Sequence, residues 1–549
     1  MKLFNFLRKK SESGHPLGSD AGVQEIINTL PIGNPGLRLD EIGDWIGVSE
    51  KSGLDLAMRA RAYASLDEAG REAVSDRFFH LLSASPDSPA VEQCWAPLTR
   101  YFRNAMRSYC ELLRDNEGQV ESSLSDEIIN RSILRGLHAA MTLKKLLHMK
   151  VQIVAPELLG EIYWLFLMAE KRQVTRNPLK MYPGKTEPTT IQQEFVAGMA
   201  FEIGPWQNLK LAQMESLDLL VRKFCANFVF RGIAERNVSY AVDLASRFGP
   251  IRLHADKPQT SSMRYIGTGI VLGHIAQLFK QIQNTAVVPD WLSLPGAHAT
   301  REYITVLKKI QLCWSNDSAE RRQPREPREM QIDALHGFRE IRRMVASIEY
   351  IQSGRTTAYR VERPGTELET AAPVDPKQRL RQMESAGDRQ LMQQWTLIDR
   401  SKTGVGAVAN RHFEWLKVGA LIGFRKTSSM EWSIGVARRL SRNARGQIVV
   451  GMQLFDGELA VARAGALDKL ESTAFEDPTM ASEGPIFGWY DAIVMRGTNT
   501  ILMQNGRYAE GIRYLLNVGA EKKYVRLTGL LEEGSDYCLS YYEEYKPES

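Results

Sequence analysis

QWTLIDRSKTGVGAV (residues 394–408) is followed by KVGALIGFR (417–425), WSIGVARRLSR (432–442) and GQIVVGMQL (446–454). In each run apolar and polar residues alternate with a period of two, the repeat of a strand that buries one face. Turn-forming residues separate the runs, so short antiparallel strands are expected over this stretch. Asp399-x-Ser401-x-x-Gly404 marks the first turn. Asp and Ser oxygens can cap nearby amides there, and Gly permits positive φ.

Before Leu391 the period is helical. Ile133, Leu134, Leu137, Met141, Leu143, Leu146 and Leu147 predict an amphipathic helix with Arg135, Lys144 and Lys145 on its outer face. Glu157 to Lys171 is apolar on nearly all sides and reads as the central helix of its region. Ser239 to Leu253 breaks the pattern with strand-like pieces around Gly249-Pro250, which predicts a small hairpin. A helix is expected from Met330 to about Ile351, with Ile332, Leu335, Phe338 and Ile341 on one stripe. After Gly488 strand-like runs resume, with turns such as Gln504-Asn505-Gly506, and predict a second β unit packed on the first.

Composition narrows the function. The 549 residues carry 70 Lys and Arg against 65 Asp and Glu, and a net charge of +5 does not favour nucleic acid. Cys94, Cys110, Cys225, Cys313 and Cys538 include no Cys-x-x-Cys, which argues against a disulfide framework and against zinc. A reducing cytoplasm is expected. MKLFNFLRKK places apolar residues before charges, the reverse of a secretory signal. The longest apolar run, Ile162 to Ala169, is far short of the roughly 20 residues that span a bilayer, so no stable membrane insertion is expected. His80, His138, His148 and His274 lie in helical patterns without neighbouring acids. Gly267-Thr268-Gly269 lacks a third glycine and a following helix start, and Gly-rich phosphate loops are absent. With no nucleophile–base pair and no metal set, an enzyme is not expected.

The 394–454 stretch resembles a PilZ domain, the small β-barrel through which many bacterial proteins sense cyclic di-GMP. The resemblance rests on Trp395-Thr396-Leu397-Ile398 before the Asp399 turn, on Val418-Gly419 opening the next strand, on the Trp432 to Arg442 strand with its basic end, and on the closing Val-Gly strand. The family's Arg-x-x-x-Arg segment is not where it is expected, since Arg379, Arg381 and Arg389 have other spacings. Arg339 and Arg343 have that spacing but fall on the expected helix.

The resemblance implies cyclic di-GMP as ligand, with no other cofactor. Asp399 and Ser401 would read guanine N1–H and N2–H at the Gly404 turn. Arg379, Arg381, Arg438, Arg439 and Arg442 would hold phosphate or stack, chemistry that the planar guanidinium fork suits. By strand period, Arg438 and Arg439 point to opposite faces, so at most one meets a ligand. Solvated strand-end or linker arginines are the alternative reading of these positions.

The fold class is multidomain α + β: a mostly α-helical N-terminal region, a PilZ-like antiparallel β-barrel and an additional C-terminal β unit. Residues 1–40 read as a flexible segment, 41–314 as the helical domain, 315–330 as a linker and 331–352 as a helix. Residues 353–390 read as a linker leading into the barrel, 391–460 as the barrel and 461–549 as the β-rich extension. The implied function is a cytoplasmic bacterial signalling protein that binds cyclic di-GMP and relays it to a protein partner through the helical region. The alternative is a degenerate PilZ-like interaction module that does not bind the nucleotide.

Overall fold

The computed structural model describes residues 15–546, apart from 50–53, 85–87, 120–123, 185–186, 236–237, 254–259, 295–299, 316–325, 353–391, 469–487 and positions 412, 414, 428, 430 and 444. The chain divides into two compact units, Met1–Glu320 and Arg321–Ser549.

The first unit is helical: α1 (Asp20–Thr29), α2 (Pro35–Ser49), α3 (Leu56–Ser83), α4 (Pro89–Glu117), α5 (Asp126–Met149), α6 (Pro156–Lys171), α7 (Ile191–Glu202) and α8 (Leu211–Lys223) come first. Residues 20–29 and 35–40, within the segment expected to be flexible, are thus helical. Their Ser, Pro, Gly and Asn act as caps rather than linkers. Ser19 Oγ accepts from Gly22 N at 3.1 Å, and Asn34 Oδ1 accepts from Leu37 N at 3.1 Å beside Pro35 at the first helical position.

The outer face expected on α5 does not exist. Arg135, Lys144 and Lys145 are only 2%, 1% and 7% exposed, because α3, α4, α7 and α8 supply partners for them. Gly198 lets α7 approach, since a Cβ there would stand 2.1 Å from Met141 Sδ. The expected hairpin is present in a sheet of order β1-β4-β2-β3, from β1 (Val229–Arg231), β2 (Tyr240–Asp243), β3 (Ile251–Arg252) and β4 (Met263–Gly267). A helix does start directly after Gly267-Thr268, contrary to expectation: α9 (Gly269–Thr285), followed by α10 (Thr300–Trp314).

The second unit opens with β5 (Glu326–His336) and α11 (Phe338–Gln352). The helix expected over 331–352 therefore begins only at Phe338, and the supposed linker 315–330 ends in a strand. Ile332 and Ala334 face the barrel interior while Leu335 packs outward with α11, so both faces of the strand are apolar and the spacing imitates a helix. Gly337, at φ 88°, makes the turn between strand and helix.

Next come β6 (Gln393–Arg400), β7 (Gly404–Ala409), β8 (Leu421–Lys426), β9 (Ser433–Arg442) and β10 (Ile448–Leu454). They close a barrel in the order β10-β7-β6-β5-β8-β9 around Trp395, Leu397, Val405, Ala407, Leu440, Val450 and Met452. Its first strand is β5, not a segment within 353–390, which lies outside the described residues.

A second closed barrel, β11-β12-β13-β16-β15-β14, is built from β11 (Glu458–Ala466), β12 (Trp489–Arg496), β13 (Thr500–Gln504), β14 (Arg513–Val518), β15 (Glu521–Glu533) and β16 (Tyr537–Glu544). Ile493, Leu502 and Leu539 on its outside pack with Leu335, Ile341, Ile434 and Val436 of α11 and the first barrel. All five cysteines are free. Among the described residues no helix is long and apolar enough to cross a membrane.

Candidate functional site

Ser401 N donates to Gly404 O at 2.7 Å, and Ser401 Oγ donates to the same carbonyl at 3.3 Å, closing the β6–β7 turn over Lys402 and Thr403. Gly404 keeps an ordinary strand backbone rather than the positive φ expected of it, because Ser401 and Gly404 are the closing pair of a hairpin.

Two bulges decide which side chains face outward. Leu397 pairs with Ala407 but Asp399 with Gly406, so Ile398 is an extra residue and Asp399 shares the outer face with Gly406. On β9, Arg439 pairs with Gly451 but Ala437 with Met452, which makes Arg438 the extra residue. The opposite-face reading of the two arginines is thereby corrected: the bulge brings both to the outside. Arg438 Nε donates to Gln453 Oε1 at 2.9 Å, and Arg439 lies over Gly451, two residues away on the same strand face.

The registers join into one row across four strands: Asp399, Gly406, Gly451 and Arg439. At a strand spacing of about 4.8 Å, the acid and the arginine stand roughly 14 Å apart at their Cα atoms. Between them stand the two glycines, both buried. A Cβ on Gly406 would meet Asp399 Oδ1 at 2.6 Å, and one on Gly451 would meet Arg439 Nε at 3.8 Å, so the two charged groups lean over the glycines. Such a strip presents a carboxylate and a guanidinium, with no other side chain of the row between them, to a planar polar ligand.

The other expected residues fall elsewhere. Arg442 Nη1 donates to Gly446 O at 2.5 Å and closes the β9–β10 turn. Arg438 Nη1 also pairs with Glu532 of the second barrel at 2.6 Å. Arg379 and Arg381 lie outside the described residues. One pair escaped the sequence reading. Pro327 pairs with Asp399 and Glu326 with Arg400, so β5 begins beside the Asp399 turn. Directly before it the sequence reads ERRQPR (320–325), where Arg321 and Arg325 have the Arg-x-x-x-Arg spacing. They too lie outside the described residues. Placing the first strand at 326 would have moved the search there.

The helical unit holds a second set of charges, all with partners. Lys145 Nζ pairs with Asp218 at 2.6 Å and Glu215 at 2.8 Å, and Lys144 Nζ with Glu202 at 3.2 Å. His148 Nε2 lies 2.8 Å from Glu202, and His138 Nδ1 3.0 Å from Glu194, while His80 meets Asp76 at 3.5 Å. These histidines therefore do have acids beside them, from other helices or one turn away. Burial pushes the Glu194 carboxyl up, but Arg222 and His138 outweigh it and hold it well below the usual range. Glu202 is held low in the same way, by His148 and Lys144 against its burial. These pairs tie α5 to α7 and α8.

Residues 21–234 match the family model described as the N-terminal domain of the cyclic-di-GMP receptor FimW. The match lies within the helical unit and covers less than half of the chain. No curated protein matches the chain.

Proposed function

We propose that the chain is a cyclic di-GMP receptor without enzymatic activity that binds its ligand on the outer face of the first, PilZ-like barrel. The observation that carries this reading is the Asp399–Gly406–Gly451–Arg439 row; the family matched by the helical unit, described as that of a cyclic-di-GMP receptor, supports it. Asp399 and Ser401 accept from and orient a guanine edge, while the glycines put no side chain between acid and arginine to obstruct the purine. Arg439 supplies a fork for phosphate or guanine O6 and N7. Arg321 and Arg325, read from sequence, complete the phosphate clamp in preference to Arg379 and Arg381, because β5 starts beside Asp399.

The helical unit is the proposed contact for a protein partner. A groove of 440 Å³ there has an apolar floor of Met106, Leu143, Leu147 and Leu158 between rims bearing Arg107 and Glu161. Free cysteines and the lack of a spanning helix among the described residues accord with a cytoplasmic location.

Calorimetric titration with cyclic di-GMP tests the reading. Wild type should give saturable heat, and Asp399→Ala should lose about 1.5–3 kcal/mol, at least tenfold in affinity. The Arg321→Ala/Arg325→Ala pair should weaken binding more than Arg379→Ala/Arg381→Ala. No heat from wild type at high micromolar ligand would leave the non-binding interaction module in its place.

A further inference from the structure

The two barrels are connected alike. Numbering the strands of each in chain order, both close in the cyclic order first, second, third, sixth, fifth, fourth. The row on the second barrel that corresponds to the candidate strip can therefore be found by register. Counting two pairs back from the pair that closes the turn between second and third strands leads from Ser401–Gly404 to Asp399–Gly406, and from Met495–Thr500 to Ile493–Leu502. Continuing across the sixth and fifth strands, the second row reads Ile493, Leu502, Leu539, Glu532. Both fifth strands carry a bulge at this point, with Arg438 the extra residue on one and Leu531 on the other.

The substitutions along the row reverse its chemistry. Acid, glycine, glycine and arginine become isoleucine, leucine, leucine and glutamate. The three apolar members are buried against α11 and the first barrel, so the face is closed to a nucleotide. The last member, Glu532, reaches back to the first barrel and pairs with Arg438 at 2.6 Å. Arg438 is the neighbour of Arg439, and its other partner, Gln453, pairs through its backbone with Gly404 of the turn.

We propose that the second barrel is a non-binding copy whose ligand face has become a docking face, and that its Glu532 gates the nucleotide site by holding Arg438. This rests on the ligand reading above. Glu532 neutralises a guanidinium that stands at the edge of the strip and adds a negative charge that opposes a dianionic ligand. The side chains are 38% and 16% exposed, and an ion pair of that kind is weak enough for a phosphate to break. Ligand binding would then transfer Arg438 from glutamate to phosphate and loosen one tie between the barrels.

Titration of cyclic di-GMP into the full chain and three variants tests the gate. Glu532→Gln, nearly isosteric, should bind about fivefold tighter than wild type, the scale of a partly exposed ion pair. Arg438→Ala should bind more weakly, and adding Glu532→Gln to it should restore nothing. An unchanged or weaker affinity in Glu532→Gln, or a gain that persists without Arg438, would overturn the proposal. An unchanged thermal midpoint for Glu532→Gln separates a gate from a loosened fold. Absence of heat from wild type and Glu532→Gln alike would remove the ligand reading and the gate together, whereas heat from the variant alone would support both.

Discussion

Asp399 faces outward because one extra residue, Ile398, shifts the register of β6 against β7. The carboxylate then rests where a Cβ on Gly406 would be, 2.6 Å from Oδ1. Gly406→Ala should therefore push the carboxylate off the strip. The obstructing atom is the end of a side chain, so stability should change by no more than about 1 kcal/mol while affinity for cyclic di-GMP falls severalfold. Calorimetry and urea unfolding on the same variant separate the two effects, and an unaltered affinity would count against Asp399 as a ligand contact. Arg442→Ala should do the reverse, costing about 1 kcal/mol through the lost bond to Gly446 O and leaving affinity unchanged. Asp399 and Arg439 of this row were singled out from the sequence; Gly406 and Gly451 were not. The orientation of the acid and the arginine was not legible, because a bulge leaves no mark on a period-two pattern, and two bulges reverse the faces of Asp399 and one of the arginines.

At the scale of the element, α5 shows what local periodicity misses. Its charges read as an outer face, yet Lys145 is buried between Glu215 and Asp218 of α8, and Lys144 reaches Glu202 and the Gly198 carbonyl of α7. The acids that compensate them lie more than fifty residues later, so nothing near Lys144 signals the pairing. Lys145→Ala should take the ammonium from Glu215 and leave Asp218 with Arg222 alone, at a cost of about 3 kcal/mol in urea unfolding. A loss below about 1 kcal/mol would mean the site is wetter than its burial indicates. β5 failed for the opposite reason. Apolar residues on both faces at Ile332, Ala334 and Leu335 gave it helical spacing, and only the cover supplied by α11 explains why its outer side is apolar. The five strands from 393 to 454 were legible as four alternating runs, the first of which folds into β6 and β7 about the Asp399 turn.

Over the whole molecule the two units have separate cores, and the most buried carboxyls of the first are shifted in the opposite direction to Glu349 of the second. Glu194, Glu202 and Asp218, all in the first unit, are held below their ordinary values of 4.5, 4.5 and 3.8 by cationic neighbours that outweigh burial. A carboxyl lowered in the folded state contributes stability that is complete above its unfolded pKa and is lost as pH falls toward the folded value. Glu349 in the second unit has the other sign, raised above 4.5 by burial while it accepts from Val461 N. It binds its proton more readily in the folded state, so folding gains as pH falls through that raised value and the gain is complete below 4.5. Scanning calorimetry should then show two transitions. The second-unit transition should rise slightly from neutral pH down to about 4.5 as Glu349 takes up its proton, and the first-unit transition should fall below that as Glu194, Glu202 and Asp218 lose their charge. Lys145→Ala assigns the transitions by lowering only the first, and Leu502→Ala, which opens a cavity beside α11, by lowering only the second. A single cooperative transition, or both shifting with either substitution, would show that the units do not unfold separately.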